Sequence, residues 1–404
     1  MFKKLFILII TAFVDMVGLL IILPLMPYYA REMGAGSLMV SLLVVSFTAA
    51  QLLSAPLWGR FSDRYGRRPA LLVGLGAAAI AYIVFAFADS LWLLLLSRVV
   101  QGAGGGTVGV IQAYVADATE PQNRAKALGW LSAATNFGVA LGPPIGSAAL
   151  LMGRSGPGLL AAGLCLINMV FAWRYLSESR DMDDARNYEK KPGASREALL
   201  SVVTHAREPG PRVILIYAIA MGAFSGTTAI MALFLADQFG IGENRVWIFF
   251  TYIGVISVVT RIGILGRAVD RFGEAKLSRI GLVLLAMGLA SFPIVHNYAL
   301  LAVTIALIPL GTAFTFPCVT SLLTRVISAS ERGLFMGVQQ TYGGIARVII
   351  PLWAGFAYDQ FGRGVPFITS AILVLGTVFL GLGLDDGRTT KKTPVETPVE
   401  VIAS

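Results

Sequence analysis

The sequence predicts an all-α integral membrane protein of twelve transmembrane helices, made of two joined copies of one six-helix unit. Three observations predict it. Hydrophobic residues fill 56% of the 404 positions and charged residues only 14%, with a mean hydropathy of +0.74, whereas soluble domains carry about 25% charge. A single water-bounded core does not hide that much apolar surface, so the natural solvent is lipid. Apolar runs of about 20 residues, enough to cross a hydrocarbon layer of about 30 Å, recur along the chain. Finally, the charged turn Gly59-Arg60-Phe61-Ser62-Asp63-Arg64-Tyr65-Gly66-Arg67-Arg68 returns as Gly266-Arg267-Ala268-Val269-Asp270-Arg271-Phe272-Gly273, at an offset of 207 residues (59 to 266).

The runs read in order as helices over 5–29, 38–58, 69–88, 91–114, 124–152 and 157–176, then 212–237, 244–266, 276–296, 298–323, 332–358 and 364–384. The first begins like a signal peptide, with Lys3 and Lys4 ahead of apolar residues. It continues past Asp15 to Tyr29 without a small-residue cleavage pattern, so it is read as a retained span. Between the sets lies a linker, 177–211, rich in Arg180, Asp181, Asp183, Asp184, Arg186, Glu189, Lys190 and Lys191 and closed by Pro209-Gly210-Pro211. Its part from Ala194 to Arg207 reads as a solvated tether, with a short amphipathic surface helix as the alternative. The tail, 385–404, repeats Thr-Pro-Val-Glu and reads as disordered. The expected domains are therefore 1–176, the cytoplasmic linker 177–211, 212–384 and the tail.

Positive charge sets the orientation. Lys3, Lys4, Arg60, Arg64, Arg67, Arg68, Arg124, Lys126, the linker, Arg267, Arg271, Lys276, Arg279, Arg325, Arg332 and the tail share one side. Only Arg31, Arg154, Arg245 and Arg363 fall on the other. Both termini are expected in the cytoplasm. The net charge of +9 sits in short gaps between apolar runs, which argues against a nucleic-acid partner. Cys165 and Cys318 lie inside apolar runs, and His205 and His296 lie far apart, leaving little material for a metal site or a nucleophile–base pair.

In the charged turn, Gly59 and Gly66 permit tight backbone, and Asp63 is placed to accept hydrogen bonds from helix-end amides or a nearby arginine. A topology signal needs positive charge alone, yet the aspartate recurs too. The turn resembles the hallmark of the major facilitator superfamily, Gly-x-x-x-Asp-Arg-x-Gly-Arg-Arg. The resemblance covers about residues 1–385. It implies two pseudo-symmetric six-helix bundles rocking about a central site, the major facilitator fold. It also implies that Gly59, Asp63, Arg64, Gly66, Arg67 and Arg68 latch the cytoplasmic ends of the bundles in the outward-facing state. Asp270 and Arg271 would form a weaker counterpart, since Glu274 and Ala275 replace the arginine pair.

Four intramembrane features bear on mechanism. The fifth run holds Gly138-x-x-x-Gly142-Pro143-Pro144-Ile145-Gly146, whose glycines make a smooth face for close packing and whose prolines bend a helix. The string also resembles the antiporter motif of the family's drug/proton exporters, with Ser147 replacing a usual glycine. In the first run, Asp15 lies about 15 Å along the helix from Leu5, where a carboxylate is costly and usually functional. It reads as a proton-coupling group, with a permanent ion pair as the alternative. Asp15 and Pro24-x-x-Pro27 also resemble helix one of those exporters. In the fourth, Arg98-x-x-Gln101-Gly102 resembles the family's Arg-x-x-Gln-Gly motif, which is linked to proton transfer. Arg98 needs a counter-charge, and Asp15 is the acid placed deep enough to answer it. The second half holds Arg261 and Arg347 and no intramembrane acid. Arg261 is near enough to Gly266 to snorkel. The arginines suggest either an anionic substrate or pairing with helix ends, Asp117 or Asp359. Gln51, Gln112, Asn136 and Gln340 are further candidates for the substrate pathway, because polar side chains avoid lipid.

The reading is a proton-coupled antiporter of the cell inner membrane. It exports a small organic molecule or drug by alternating access, as a monomer in the lipid bilayer. It needs no cofactor and draws on the proton gradient. The alternatives are a symporter or uniporter importing an organic anion or metal chelate, and a transporter-like assembly or sensing protein. An enzyme is not indicated. Tetracycline is doubtful as substrate, because runs three and nine lack the acids that the tetracycline exporters carry there.

Overall fold

The computed structural model describes residues 2–120, 124–178, 194–328 and 331–384, with side chains at 5–115, 117–120, 127–178, 197–328 and 331–384. The centre of the linker and the tail with its Thr-Pro-Val-Glu repeat lie outside these residues. The described chain is helical throughout, as its lipid-facing composition requires, since a helix satisfies its backbone polar groups within one segment. In order the helices are α1 (Phe2–Ile22), α2 (Met26–Glu32), α3 (Ser37–Tyr65), α4 (Arg67–Ala86), α5 (Leu91–Gly104), α6 (Thr107–Ala118), α7 (Arg124–Ala149) and α8 (Gly156–Tyr175). The second half follows with α9 (Ala194–Thr204), α10 (Pro209–Phe239), α11 (Trp247–Val259), α12 (Leu265–Phe272), α13 (Glu274–Ser291), α14 (Tyr298–Val326), α15 (Arg332–Phe361) and α16 (Val365–Leu380).

Helices occupy each apolar run. Among the described residues, nine stretches are long and apolar enough to cross a membrane. Three of these are broken rods. Pro24 follows α1, the glycines 104–106 separate α5 from α6, and a five-residue π segment, Thr260–Ile264, joins α11 to α12. The 26-residue α7 and the 30-residue α15 are long enough but more polar. The 16-residue α16 is apolar but short.

Packing repeats between the halves. In the first, α1 packs on α7 and α4 on α5 and α8; in the second, α10 packs on α15 and α13 on α14 and α16. The halves meet along α3 with α15 and α7 with α11. At these seams backbones come close: a Cβ on Gly254 would lie 2.9 Å from the Ala140 Cα, and one on Gly355 would lie 2.7 Å from the Ser37 carbonyl.

Two sequence expectations are corrected. The turn 59–68 is one residue long: α3 runs on to Tyr65 and α4 begins at Arg67, leaving Gly66 alone between them. Gly59 is thus inside a helix, where an added Cβ would meet nothing within 4 Å, and glycine is not required there. Only Gly66 needs it, at φ 101°. The tether reading of 194–207 also gives way, because Ala194–Thr204 is the helix α9. Its Val202 is fully buried, and the Tyr342 hydroxyl donates to the Leu199 carbonyl at 2.9 Å. A short apolar stripe docked on α15 supplies what isolated helix propensity does not.

Candidate functional site

Asp15 sits within α1, and Thr107 Oγ1 donates to its Oδ2 at 3.1 Å. Thr107 is the first residue of α6, directly behind the glycine break. The break frees carbonyls that water does not reach inside a bilayer, and α3 supplies the donors. Gln51 Nε2 donates to the Gly105 carbonyl at 2.8 Å, Ser54 Oγ faces that of Gly102 at 3.5 Å, and Trp58 Nε1 donates to that of Ala103. Gln51 therefore spends its amide on holding the break that presents Thr107 to Asp15.

Arg98, on α5, is 1% exposed and packs its guanidinium 5.6 Å from the Phe85 ring centre. Its Nε and Nη2 have no hydrogen-bond partner. Gln101, one turn on, donates to the Tyr82 hydroxyl at 2.7 Å. Tyr82 is the shared electrostatic neighbour of Asp15 and Arg98, and its hydroxyl lies 3.2 Å from where a Cβ on Gly18 would be. Asp15 and Arg98 are thus linked through Tyr82, while the hydrogen bond to Asp15 comes from Thr107.

Around Gly66 the charges form a network inside the first half. Arg67 bridges Asp63 at 2.9 Å and Asp117 at 2.9 Å, and donates to Ser62 Oγ at 2.9 Å. Asp63 belongs to the last turn of α3. The exposed amides at the start of α4, expected for Asp63, go instead to Glu178. Its carboxylate accepts from Arg67 N at 2.9 Å and Arg68 N at 3.0 Å. Arg68 also donates to the Trp173 carbonyl at 2.5 Å. Arg64 stacks on Tyr65, and Arg271 likewise on Phe272, at 5.5 and 5.6 Å. In the second half, Gly273 repeats the positive φ of Gly66, at 75°. There Glu274 accepts from Arg325 at 2.7 Å and from Ser321 at 2.9 Å. Arg67 and Glu274 are 207 residues apart (67 to 274), so the link from the start of one helix to the end of the next is kept with its charges exchanged. Asp270 is exposed one turn before it.

The glycine face of α7 lies on α1. Cβ atoms on Gly138 and Gly142 would come within 2.9 Å of Met16 Cβ and 2.5 Å of Leu20 Cβ, and one on Gly146 would overlap the Ile21 carbonyl. The helix runs unbroken through Pro143 and Pro144. Further along, α7 and α11 diverge around a cavity of about 170 Å³ lined by Ser132, Asn136, Val258, Arg261 and Ile262. Asn136 Nδ2 donates to the Ser132 carbonyl of its own helix at 2.7 Å. Arg261 rides on the π segment and has no hydrogen-bond or ion-pair partner among the described residues. Arg347, on α15, makes one long bond, from Nε to the Gly343 carbonyl at 3.4 Å. Both arginines lie in the electrostatic surroundings of Tyr217 on α10. Gln340 reaches that hydroxyl at 3.4 Å. Gln112 is exposed on α6.

At the opposite end from Gly66, the halves are clasped by a cluster that sequence reasoning missed. Arg31 holds Asp237 through two bonds, at 2.5 and 2.8 Å, and the Tyr358 hydroxyl donates to the same carboxylate at 2.8 Å. Arg363 Nη1 donates to the Asp237 carbonyl at 2.7 Å. Asp359 accepts from Ser37 N and Leu38 N at 3.0 and 2.9 Å, capping α3 from the other half. Tyr28 and Ser147 donate across to the carbonyls of Ile241 and Asn244 at 2.9 and 3.1 Å. Nearby, partial burial and the adjacent Glu32 push the Glu243 carboxyl up, against Arg154. The available signal was the small set of charges on the sparsely charged side, Arg31 and Arg363 among them.

The chain resembles known proteins over nearly its whole length. It is 25% identical over 368 residues to the tetracycline resistance protein, class B, of Escherichia coli, covering 90% of each chain. It is 27% identical over 382 residues to multidrug resistance protein 1 of Bacillus subtilis (strain 168), covering 94% of each. Among solved structures, the human organic anion transporter MFSD10 (TETRAN) matches with a TM-score of 0.69 at 23% identity, over 94% of this chain and 99% of that one. The sequence matches the Major Facilitator Superfamily over residues 8–265 and 213–403. With its all-helical fold, its apolar spans and these matches, this chain belongs to the Major Facilitator Superfamily of multi-pass membrane transporters.

Proposed function

We propose that the protein is a proton-driven antiporter that exports a small organic molecule by alternating access. In this reading α7, α15 and α16 also span the membrane, completing twelve helices in two six-helix bundles, 1–176 and 212–384. The linker and both termini face the cytoplasm, the membrane is the inner one, and the monomer is the working unit. The bound Arg31–Asp237 end is then the outer end, and the structure is the inward-facing state. The proton gradient drives the cycle without a cofactor.

The observation that carries the proposal is Asp15 within a membrane span, hydrogen-bonded to a threonine that a glycine break places beside it. A buried carboxylate is costly unless it is functional or paired. A single hydroxyl donor leaves it able to exchange a proton when the bundles rock. Relatedness to tetracycline and multidrug resistance proteins at 25 and 27% identity supports export of drug-like molecules.

The test is proton flux. Full-length protein in proteoliposomes under an imposed pH gradient, with a pH-sensitive dye inside, is expected to show drug-dependent proton movement. Asp15→Asn should abolish that movement while leaving the protein folded. Undiminished flux in the variant would overturn the assignment. A second reading, import of an organic anion, draws on the two arginines of the second half and on the resemblance to an organic anion transporter. Accumulation in right-side-out rather than everted vesicles would favour it.

A further inference from the structure

Arg261 and Arg347 are cations in membrane-spanning helices with no acid to neutralise them. The acids that the sequence offers as partners are committed elsewhere. Asp117 holds Arg67 at 2.9 Å, and Asp359 caps the first amides of α3 at 3.0 and 2.9 Å. Snorkelling does not explain Arg261 either, since its neighbour is Tyr217, which is 7% exposed and belongs to α10. The Arg261 Nε is buried and unbonded. The side chain is mounted on the π segment Thr260–Ile264. Such bulges are kept at functional sites because they shift the side-chain register of the turns that follow. Beside it lies the cavity of about 170 Å³ that also touches Ser132 and Asn136. Arg347 approaches the same tyrosine from α15, with only a long 3.4 Å contact to its own helix. Guanidinium groups held without a counter-ion in a low-dielectric region are expensive, and a planar oxyanion satisfies their paired N–H donors best.

We infer that Arg261 and Arg347, with the Tyr217 hydroxyl and the Gln340 amide, form a subsite for an oxyanion, and that the transported molecule carries that group as a carboxylate. The inference deepens the transporter reading by naming a substrate class. It holds for export and import alike. A phospholipid headgroup presents similar chemistry, and the experiment separates the two sources.

Binding to full-length protein is measured in phosphatidylcholine nanodiscs, without any gradient, using 1-naphthoate and its neutral counterpart 1-naphthamide. Naphthoate should bind at least about tenfold tighter, as expected for hydrogen bonds to a charged group. Arg261→Gln and Arg347→Gln should each remove most of that preference while leaving naphthamide binding unchanged. Arg261→Lys and Arg347→Lys should retain part of it. Adding phosphatidylglycerol should leave the naphthoate affinity unchanged. Equal binding of the two probes by the unaltered protein, or no binding of naphthoate at millimolar concentration, would overturn the inference, even if the glutamine variants do not fold. It would also be overturned if the preference survived both substitutions, or if phosphatidylglycerol displaced the probe. Because no proton flux is read, failure here leaves the role of Asp15 standing, and failure of Asp15 leaves this site standing.

Discussion

Glu178 accepts two backbone N–H bonds at the start of α4, and Gly66 leaves room for its carboxylate. A Cβ at Gly66 would sit 2.5 Å from Glu178 Oε2, on top of the strain of a φ of 101°. An acid at a helix start satisfies orphan amides and complements the helix dipole. Glu178→Gln should cost roughly 1 kcal/mol, read as a lower melting temperature of the detergent-solubilised protein. The second copy solves the same problem differently, because Glu274 supplies the negative charge from the turn itself and Arg325 answers it. Here Glu274 is nearly buried while Arg325 is 42% exposed at its side chain. Reversing either charge alone should destabilise by about 1–2 kcal/mol, a value discounted for the exposure of the arginine. The double exchange Glu274→Arg with Arg325→Glu should recover more than half. Additive losses in that double-mutant cycle would contradict a direct pair.

At the scale of helices, the glycines of α7 let it approach α1 until backbone meets side chain. An Ala at Gly142 forces displacement at Leu20 Cβ, and Leu there forces more. Overpacking of this kind costs about 1–3 kcal/mol. Gly129 is on the same helix with nothing within 4 Å of its added Cβ. Gly142→Leu should therefore lower the melting temperature strongly and Gly129→Ala hardly at all. Equal effects would show that the glycines act through helix propensity and not contact. The packing role of Gly138, Gly142 and Gly146 is thus visible in the structure, and their link to antiport remains a matter for the flux experiment. Helix ends were the least legible elements. The hydropathy drop at Gly59 ended the second run on paper, but α3 continues for another turn and a half in polar sequence. Arg67 reaches back to Asp63 one turn earlier and stabilises that extension.

Across the whole molecule, the Asp237 cluster joins the ends of α2, α10 and α15. If its opening accompanies the switch between states, Asp237→Asn weakens the bidentate Arg31 pair and shifts the population toward the form open at this end. Spin labels at Leu151→Cys and Arg245→Cys, both exposed and on opposite halves, should then report longer distances than in the parent protein. An unchanged distance distribution would mean that the α3–α15 and α7–α11 seams hold this end closed without the ion pair.

What the sequence determined by itself is everything that depends on local composition and spacing. The apolar runs dictate helices because lipid leaves the backbone no other partner. The recurring Gly66 and Gly273 dictate two like turns, since other residues rarely take that φ. The family was legible from the first turn alone. Tertiary structure decided which charges meet. Glu178, rather than Asp63, caps α4; Thr107 hydrogen-bonds Asp15; Asp359 serves α3; and Arg261 and Arg347 keep no acid. Ion pairs between residues 111, 206 or 322 positions apart follow from how rods pack, and in a membrane protein that packing is directed by small residues and shape, which leave only a faint trace in any single stretch of chain.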